Sequence, residues 1–252
     1  MSRSCFERLL IRIKNENPCL KDSRKYLYIF IFFVTHLNTY RKTREIFGTP
    51  KSTIFEIVKK IGKLLYKIAI KEVCFPVNEE FDDLKSGFSR GNHNFHNVIL
   101  AIDGTHFEIT KPKSDPLNYY NRHGYFSLNV IAAIDYKKRF RSMTPGFGKS
   151  HDSMILSASN TYTHILNLEN DAKLVGDAAF RVFRNILVPR DDDFNQPNLE
   201  LKLQRIHVEN TFALFKNKFK RFSGKIINGE KKENTIMLYS SVWVHNFIIN
   251  NS

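Results

Sequence analysis

Apolar residues run without a break from Tyr26 to Val34, and from Ile54 onward Ile57, Val58, Ile61, Leu64 and Leu65 recur at three- and four-residue steps. That spacing puts one apolar stripe on a helix, so the chain is expected to be helical from about residue 24 to about residue 71. Thr49-Pro50 offers an N-cap followed by proline at the first helical position. Just before it, Arg41 to Phe47 reads as a short helix stopped by Gly48, a residue favoured just past a helix end. Two helices across so tight a turn have the proportions of a helix-turn-helix, and equally those of an ordinary helical hairpin. In the DNA-binding case Lys51, Ser52, Thr53 and Glu56 would reach base edges while Arg41, Lys42 and Arg44 hold phosphates.

Residues 72–96 break the pattern with Pro76, the acid doublets Glu79-Glu80 and Asp82-Asp83, Gly87 and Gly91, which is the composition of a linker. From Asn97 the period changes. Val98 to Ile102 is a continuous apolar run with Phe107 and Ile109 beyond it, Ser127 to Ile134 repeats the style, and Arg139 to Thr144 adds a third strand. The short connection Asp135 to Lys138 implies antiparallel pairing. A helix is expected from Ser150-His151-Asp152 through Leu156 towards Ile165, then a strand at Ala172 to Val175, a helical segment, and the run Ile186 to Val188 stopped by Pro189 and Asp191 to Asp193. Leu201, Val208, Phe212, Phe215, Phe219 and Phe222 place one stripe on a last long helix starting near Asn198. Three antiparallel strands, helix, strand, helix, strand, helix is the order of an α/β, RNase H-like fold, although other α/β orders fit the same pattern. The implied organisation is a helical DNA-binding region over 1–75, a linker over 76–96 and an RNase H-like nuclease domain over 97–252.

Charge sharpens this picture. Residues 1–71 hold 16 Lys/Arg against 5 Asp/Glu and residues 210–235 hold 7 against 2, within a chain of net charge +14. The basic character therefore sits on the flanks of a nearly neutral centre, where a polyanion such as DNA would be gripped through its phosphates. Cys5, Cys19 and Cys74 are too few and too scattered for a disulfide framework or a structural zinc site. The run from Tyr26 to Val34 is too short to span a bilayer and has no signal-peptide pattern, so a soluble intracellular protein is expected, without membrane partners.

Three acids stand in contexts that suggest chemistry: Asp103 in Ile-Asp-Gly-Thr-His, Asp177 in Val-Gly-Asp-Ala-Ala-Phe, and Glu209 in Val-Glu-Asn-Thr-Phe. The first two end apolar runs and the third rides a basic amphipathic helix. Carboxylates brought together in a fold need a divalent cation or a raised pKa. Two magnesium ions held by such a set would clamp the attacking and leaving oxygens of a phosphodiester. Arg205, one turn before Glu209, either orients that carboxylate or grips a phosphate.

Seven ordered motifs tie these residues to a family: Ala-Ile-Asp-Gly-Thr-His at 101–106, Tyr-Tyr-Asn-Arg-His-Gly-Tyr-Phe-Ser-Leu-Asn at 119–129, Pro-Gly at 145–146 with His-Asp-Ser at 151–153, Val-Gly-Asp at 175–177, Arg-Ile-His-Val-Glu-Asn-Thr-Phe at 205–212, Phe-Lys-Arg-Phe at 219–222 and Val-His-Asn-Phe at 244–247. Together they resemble the motif set of PIF/Harbinger-type DDE transposases and the nucleases derived from them. The resemblance implies that Asp103, Asp177 and Glu209 are catalytic metal ligands for two Mg2+ or Mn2+ ions. His106, Asp152 and Arg205 would support them from behind, and Arg122, Lys216 and Lys220 would contact DNA. It implies a metal-dependent DNA endonuclease or transposase, with strand transfer by a freed 3′-hydroxyl in the latter, and nuclear residence with or without a cytoplasmic pool. A separate Myb-like DNA-binding partner is associated with the family, and the chain could be a homo-oligomer. Ala-Ala-Phe after Asp177, Ala213, and the short interval of 31 residues between Asp177 and Glu209 depart from the family pattern. The alternative is accordingly a domesticated, weakly active or inactive DNA-binding descendant.

Overall fold

The computed structural model describes residues 1–90, 96–169, 171–190, 195–224 and 231–251; Gly91 and Asp191 to Asp193, expected to mark a loop and a strand stop, lie outside them. Strands β1 (Val98–Glu108), β2 (Ser127–Ile134) and β3 (Phe140–Phe147) form an antiparallel meander. Strands β4 (Lys173–Val175) and β5 (Ile186–Leu187) extend it in parallel, giving the order β3-β2-β1-β4-β5. This is the α/β, RNase H-like sheet that the element order predicts. Val98 to Ile102 is wholly buried because β1 lies between β2 and β4 with both faces covered, which is why that run reads as apolar rather than alternating.

Alternate residues divide the core between the two faces. On one face Ala101, Phe107, Val130 and Ala132 pack with Val208, Phe212 and Phe215 of α9 (Gln196–Lys218) and with Leu238 and Val242 of α10 (Lys231–Asn250). On the other, Ile102, Ile131 and Ala133 meet Ile155 and Leu156 of α7 (Asp152–Ser157) and Ile165 of α8 (Asn160–Leu166). The single helix expected across these last two segments is broken at Ser159, whose hydroxyl accepts from the Tyr162 amide at 3.3 Å and starts a new helix. The 178–186 segment holds only a short 3-10 turn, Ala178–Phe180.

Helices α2 (Ser23–Thr35), α3 (Tyr40–Phe47) and α4 (Lys51–Glu72) occupy the expected region, preceded by α1 (Arg3–Glu16), which buries Leu9, Leu10 and Ile13. Gly48 at φ 58° ends α3. Thr49 does not cap α4: Pro50 holds that position, and the Thr49 hydroxyl donates to the Phe47 carbonyl at 3.1 Å. These helices share one core with the sheet. Ser240 Oγ of α10 donates to the Gly62 carbonyl of α4 at 2.7 Å, and Glu72 accepts from Trp243 Nε1 at 2.7 Å and from Arg12 Nη2 at 2.7 Å. Arg221, within Phe-Lys-Arg-Phe, lies 3.7 Å from the Phe33 ring centroid and donates to the Asn38 carbonyl at 2.8 Å.

The 76–96 region is more than a connector. It contains α5 (Phe81–Phe88), whose Phe81, Leu84 and Phe88 are buried, and Glu80 receives both Arg141 terminal nitrogens at 2.8 and 2.6 Å. Acid doublets masked that apolar spacing in the sequence. The remaining helix, α6 (Pro116–Tyr119), is a single turn leading into a hairpin.

Two predictions follow from this packing. Leu84→Ala should lower unfolding stability by about 2–5 kcal/mol in urea titrations, since a fully buried leucine leaves a cavity, and a change within error would mean that α5 is not part of the folded body. His245, in Val-His-Asn-Phe, packs against Phe140 and Phe215, donates from Nε2 to the Lys138 carbonyl at 2.9 Å, and is pushed down by burial to about 4. The unfolded imidazole takes its proton near 6.5 and the folded one near 4, so stability is full above that window and declines as pH falls through it, by on the order of 3 kcal/mol. His245→Gln should flatten that decline in pH-dependent unfolding; an unaltered slope would refute the assignment.

Candidate metal centre

The centre forms where β4 ends beside the middle of its parallel neighbour β1, which runs on to Glu108. Asp103 lies in β1 opposite Ala132 of β2, and its Oδ1 accepts from the Gly104 amide at 2.8 Å. Asp177 follows β4 by two residues and caps the next turn by accepting from the Ala179 amide at 3.0 Å. Asp152 opens α7 on the opposite face of the sheet from α9. It reaches the other two because Gly104 has no side chain: a Cβ there would lie 2.5 Å from Asp152 Oδ2. Oxygens of Asp103, Asp152 and Asp177 all lie within 4.8 Å of one another.

Asn129, the last residue of the 119–129 motif, holds Asp152. Its Nδ2 donates to Asp152 Oδ1 at 2.6 Å and to the Ser150 carbonyl at 3.0 Å. In the register of β1 with β2 it stands beside His106. A glycine in mid-strand was the available signal for Asp152, because it marks a place where another group comes close.

Burial pushes the Asp103 carboxyl up to about 7, with the charges of Asp177 and Glu209 adding to the effect and the Gly104 amide and Arg205 opposing it. Burial also raises Asp177, and Asp152 adds to that rise. Apolar strand ends and mutual repulsion thus make ionisation of this group costly without a cation. A hard divalent cation fits the donor set, which is all carboxylate oxygen, convergent and fixed on two sides by backbone amides and an amide side chain.

Glu209 stands outside the cluster. On α9 it pairs with Arg205, one turn earlier, at 2.6 Å, and the same Arg205 nitrogen lies 4.0 Å from Asp103 Oδ2. Val208 and Phe212 on its flanks are buried, while the Glu209 side chain is 45% exposed and so faces the opening of the site. His106 is half-buried, its Nδ1 sharing a hydrogen bond with Ser127 Oγ at 3.0 Å, and burial holds its pKa below the ordinary value.

The residues expected on DNA divide into two groups. Arg41, Lys42, Arg44, Lys51, Ser52, Thr53, Arg122 and Lys220 are exposed. Lys216 instead turns inward, donating to Thr105 Oγ1 at 2.8 Å and to the His106 carbonyl at 3.0 Å with its ammonium 4.9 Å from the Phe107 ring centroid, so it pins α9 to β1.

Residues 102–246 match the family described as DDE superfamily endonuclease, more than half of the chain and a span that includes all four acids. Among curated proteins, "Putative nuclease HARBI1" of Rattus norvegicus is 26% identical over 148 residues, and the protein of the same name in Homo sapiens is 24% identical over 148 residues; each alignment covers 58% of this chain and 42% of the relative. The chain thus spans under half the length of the curated relatives it matches. No solved structure matches significantly. With its motif order, its sheet and its acidic cluster accounted for, the chain belongs to the DDE superfamily endonucleases, among relatives of the Harbinger-derived type.

Proposed function

We propose that the protein is a divalent-metal-dependent DNA endonuclease whose Mg2+ or Mn2+ is held by Asp103, Asp152 and Asp177. The observation that carries this is the convergence of three carboxylates within 4.8 Å, in a family of endonucleases. A cation bound there would supply Lewis-acid stabilisation of the charge that develops on a phosphodiester during hydrolysis. The chain's own part is positional. Gly104 admits Asp152, Asn129 fixes it, and the Asp103 and Asp177 carboxylates are set by backbone amides before any ligand arrives. Arg205 offers a positive charge at the opening, suited to hold a phosphate, and Glu209 joins the donor set by exchanging that partner. A second cation and transfer of a freed 3′-hydroxyl to target DNA belong to the same proposal through the family resemblance, as do a Myb-like partner, self-association and nuclear residence.

A second reading, a DNA-binding descendant without cleavage, draws on the Arg205–Glu209 pair, which keeps the fourth acid from the cluster. Asp103→Asn discriminates. Metal-dependent nicking of DNA should fall by orders of magnitude while DNA affinity is kept, and wild-type protein that never nicks with either metal favours the second reading. Stability supplies an independent check. The Asp103 carboxyl ionises near 3.8 when unfolded and about 7 when folded, so the metal-free fold loses stability as pH rises across that window, by about 4 kcal/mol in order of magnitude. Metal-free Asp103→Asn should therefore melt above wild type at pH 8, and excess Mn2+ should raise the wild-type melting temperature while leaving the variant unmoved. Identical melting with and without metal would refute the site.

Arg41, Lys42 and Arg44 on α3, with the exposed first turn of α4, form the proposed DNA-reading element. Replacing the three by Ala should weaken binding to all sequences and reduce the salt dependence by about one unit of log–log slope per lost phosphate contact, measured by fluorescence anisotropy. Ser52→Ala with Thr53→Ala should instead narrow the gap between preferred and random DNA. Unchanged salt dependence in the triple variant would reduce α3–α4 to a packing element.

A further inference from the structure

The hairpin between α6 and β2 is built more rigidly than a connection needs and presents unusual chemistry at its tip. Asn121, itself buried, accepts through Oδ1 from the His123 amide at 2.9 Å and the Tyr125 amide at 3.3 Å, and its Nδ2 donates to Ser127 Oγ at 2.9 Å. Gly124 takes φ +82°, which a side chain would strain, and Tyr120 bridges to Phe126 with their rings edge to face at 5.2 Å. The turn is thereby fixed, yet what it displays is not core. Tyr120 is 47% exposed, and Arg122 and His123 are exposed.

The tip packs against His106, whose strand partner Asn129 holds Asp152. The His123 and Tyr125 rings stand 5.9 and 6.4 Å from the ring of His106, three residues beyond Asp103 on the same strand. The Arg122 charge is felt at both His106 and Asp177. Arg122 meets His123 Nε2 at 3.4 Å, and no carboxylate among the described residues pairs with it. A rigid tip bearing aromatic faces and a guanidinium without a carboxylate partner, beside a candidate phosphodiester-cleaving site, matches what an unpaired nucleotide requires: flat surfaces for the base and a cation for its phosphate. A base inside a duplex is already stacked on both sides and offers no free face.

Resting on the endonuclease reading, the geometry points to a nucleotide clamp: Tyr120 and His123 stack on an unpaired base next to the scissile phosphate, and Arg122 holds the phosphate beside it. The substrate class is thereby narrowed to DNA that is single-stranded, or locally opened, at the cleavage point.

The test uses full-length protein in the Asp103→Asn background, without added metal, so that binding is read without cleavage. The probes are a single-stranded oligonucleotide carrying 2-aminopurine and the same strand fully paired. With the tip intact, 2-aminopurine fluorescence should be quenched in the single strand on binding. Arg122→Ala with His123→Ala should remove the quench and weaken single-strand affinity by at least about fivefold, with duplex affinity within about twofold and an unchanged melting temperature. His123→Phe should restore the quench. Equal losses on both DNA forms, or no loss on either, would overturn the clamp. Nicking by protein with Asp103 intact is scored separately: its absence alongside a retained quench sinks the endonuclease reading and leaves the clamp standing, and nicking without any quench does the reverse.

Discussion

Three half-buried carboxylates within 4.8 Å of one another repel, and much of the surrounding architecture exists to hold them there. Coulomb repulsion alone would splay them, so each is fixed separately: Asp103 and Asp177 by the amides they accept from, Asp152 by Asn129. Topology does the rest. Parallel pairing of β1 with β4 stops at Ala101 and Val175, which sets Asp103 beside the loop that carries Asp177, and the missing Cβ of Gly104 lets a residue from the opposite face come through. A valine at Gly104 would leave every strand pairing formally possible and still exclude Asp152.

The sequence displayed whatever depends on local periodicity. The three antiparallel strands, β4, the start of α9 and the α3–α4 pair all announce themselves by spacing and by Gly or Pro punctuation. Asp103 and Asp177 were legible because each closes an apolar run in an isolated acidic context. What stayed hidden depends on contacts between distant segments. α10 buries Ser240, Ser241 and His245 beside its apolar residues, so it shows no clean stripe, and its polar groups make sense only against Gly62 and Lys138. Helix α5 was concealed by acid doublets, one of which supplies Glu80 to Arg141. Lys216 looked like one more basic-flank residue, and only β1 lying beneath it explains its inward turn.

The boundary read after residue 75 marks a change of secondary structure without a break in the core. α4 lies along α10, α10 packs on β3, and Arg221 ties the end of α9 back to α2. Glu72 joins α1, α4 and α10 at a single carboxylate. Such cross-links fix the α3–α4 element relative to the acids, so DNA held by those helices would meet the centre at a set distance rather than through a swinging arm.

Arg205 is where stability and chemistry meet. Placed 2.6 Å from Glu209 and 4.0 Å from Asp103, it is a positive charge beside a largely acidic site, and it lowers the cost of ionising Asp103 that burial imposes. A guanidinium in that position offsets part of the acids' charge, and for the same reason it would compete with a cation. On the endonuclease proposal, a bound cation would weaken the guanidinium's pull on Asp103 and leave a fork of donors whose geometry suits a phosphate. In that proposal one residue both lowers the cost of ionising Asp103 and offers a charge to the substrate phosphate.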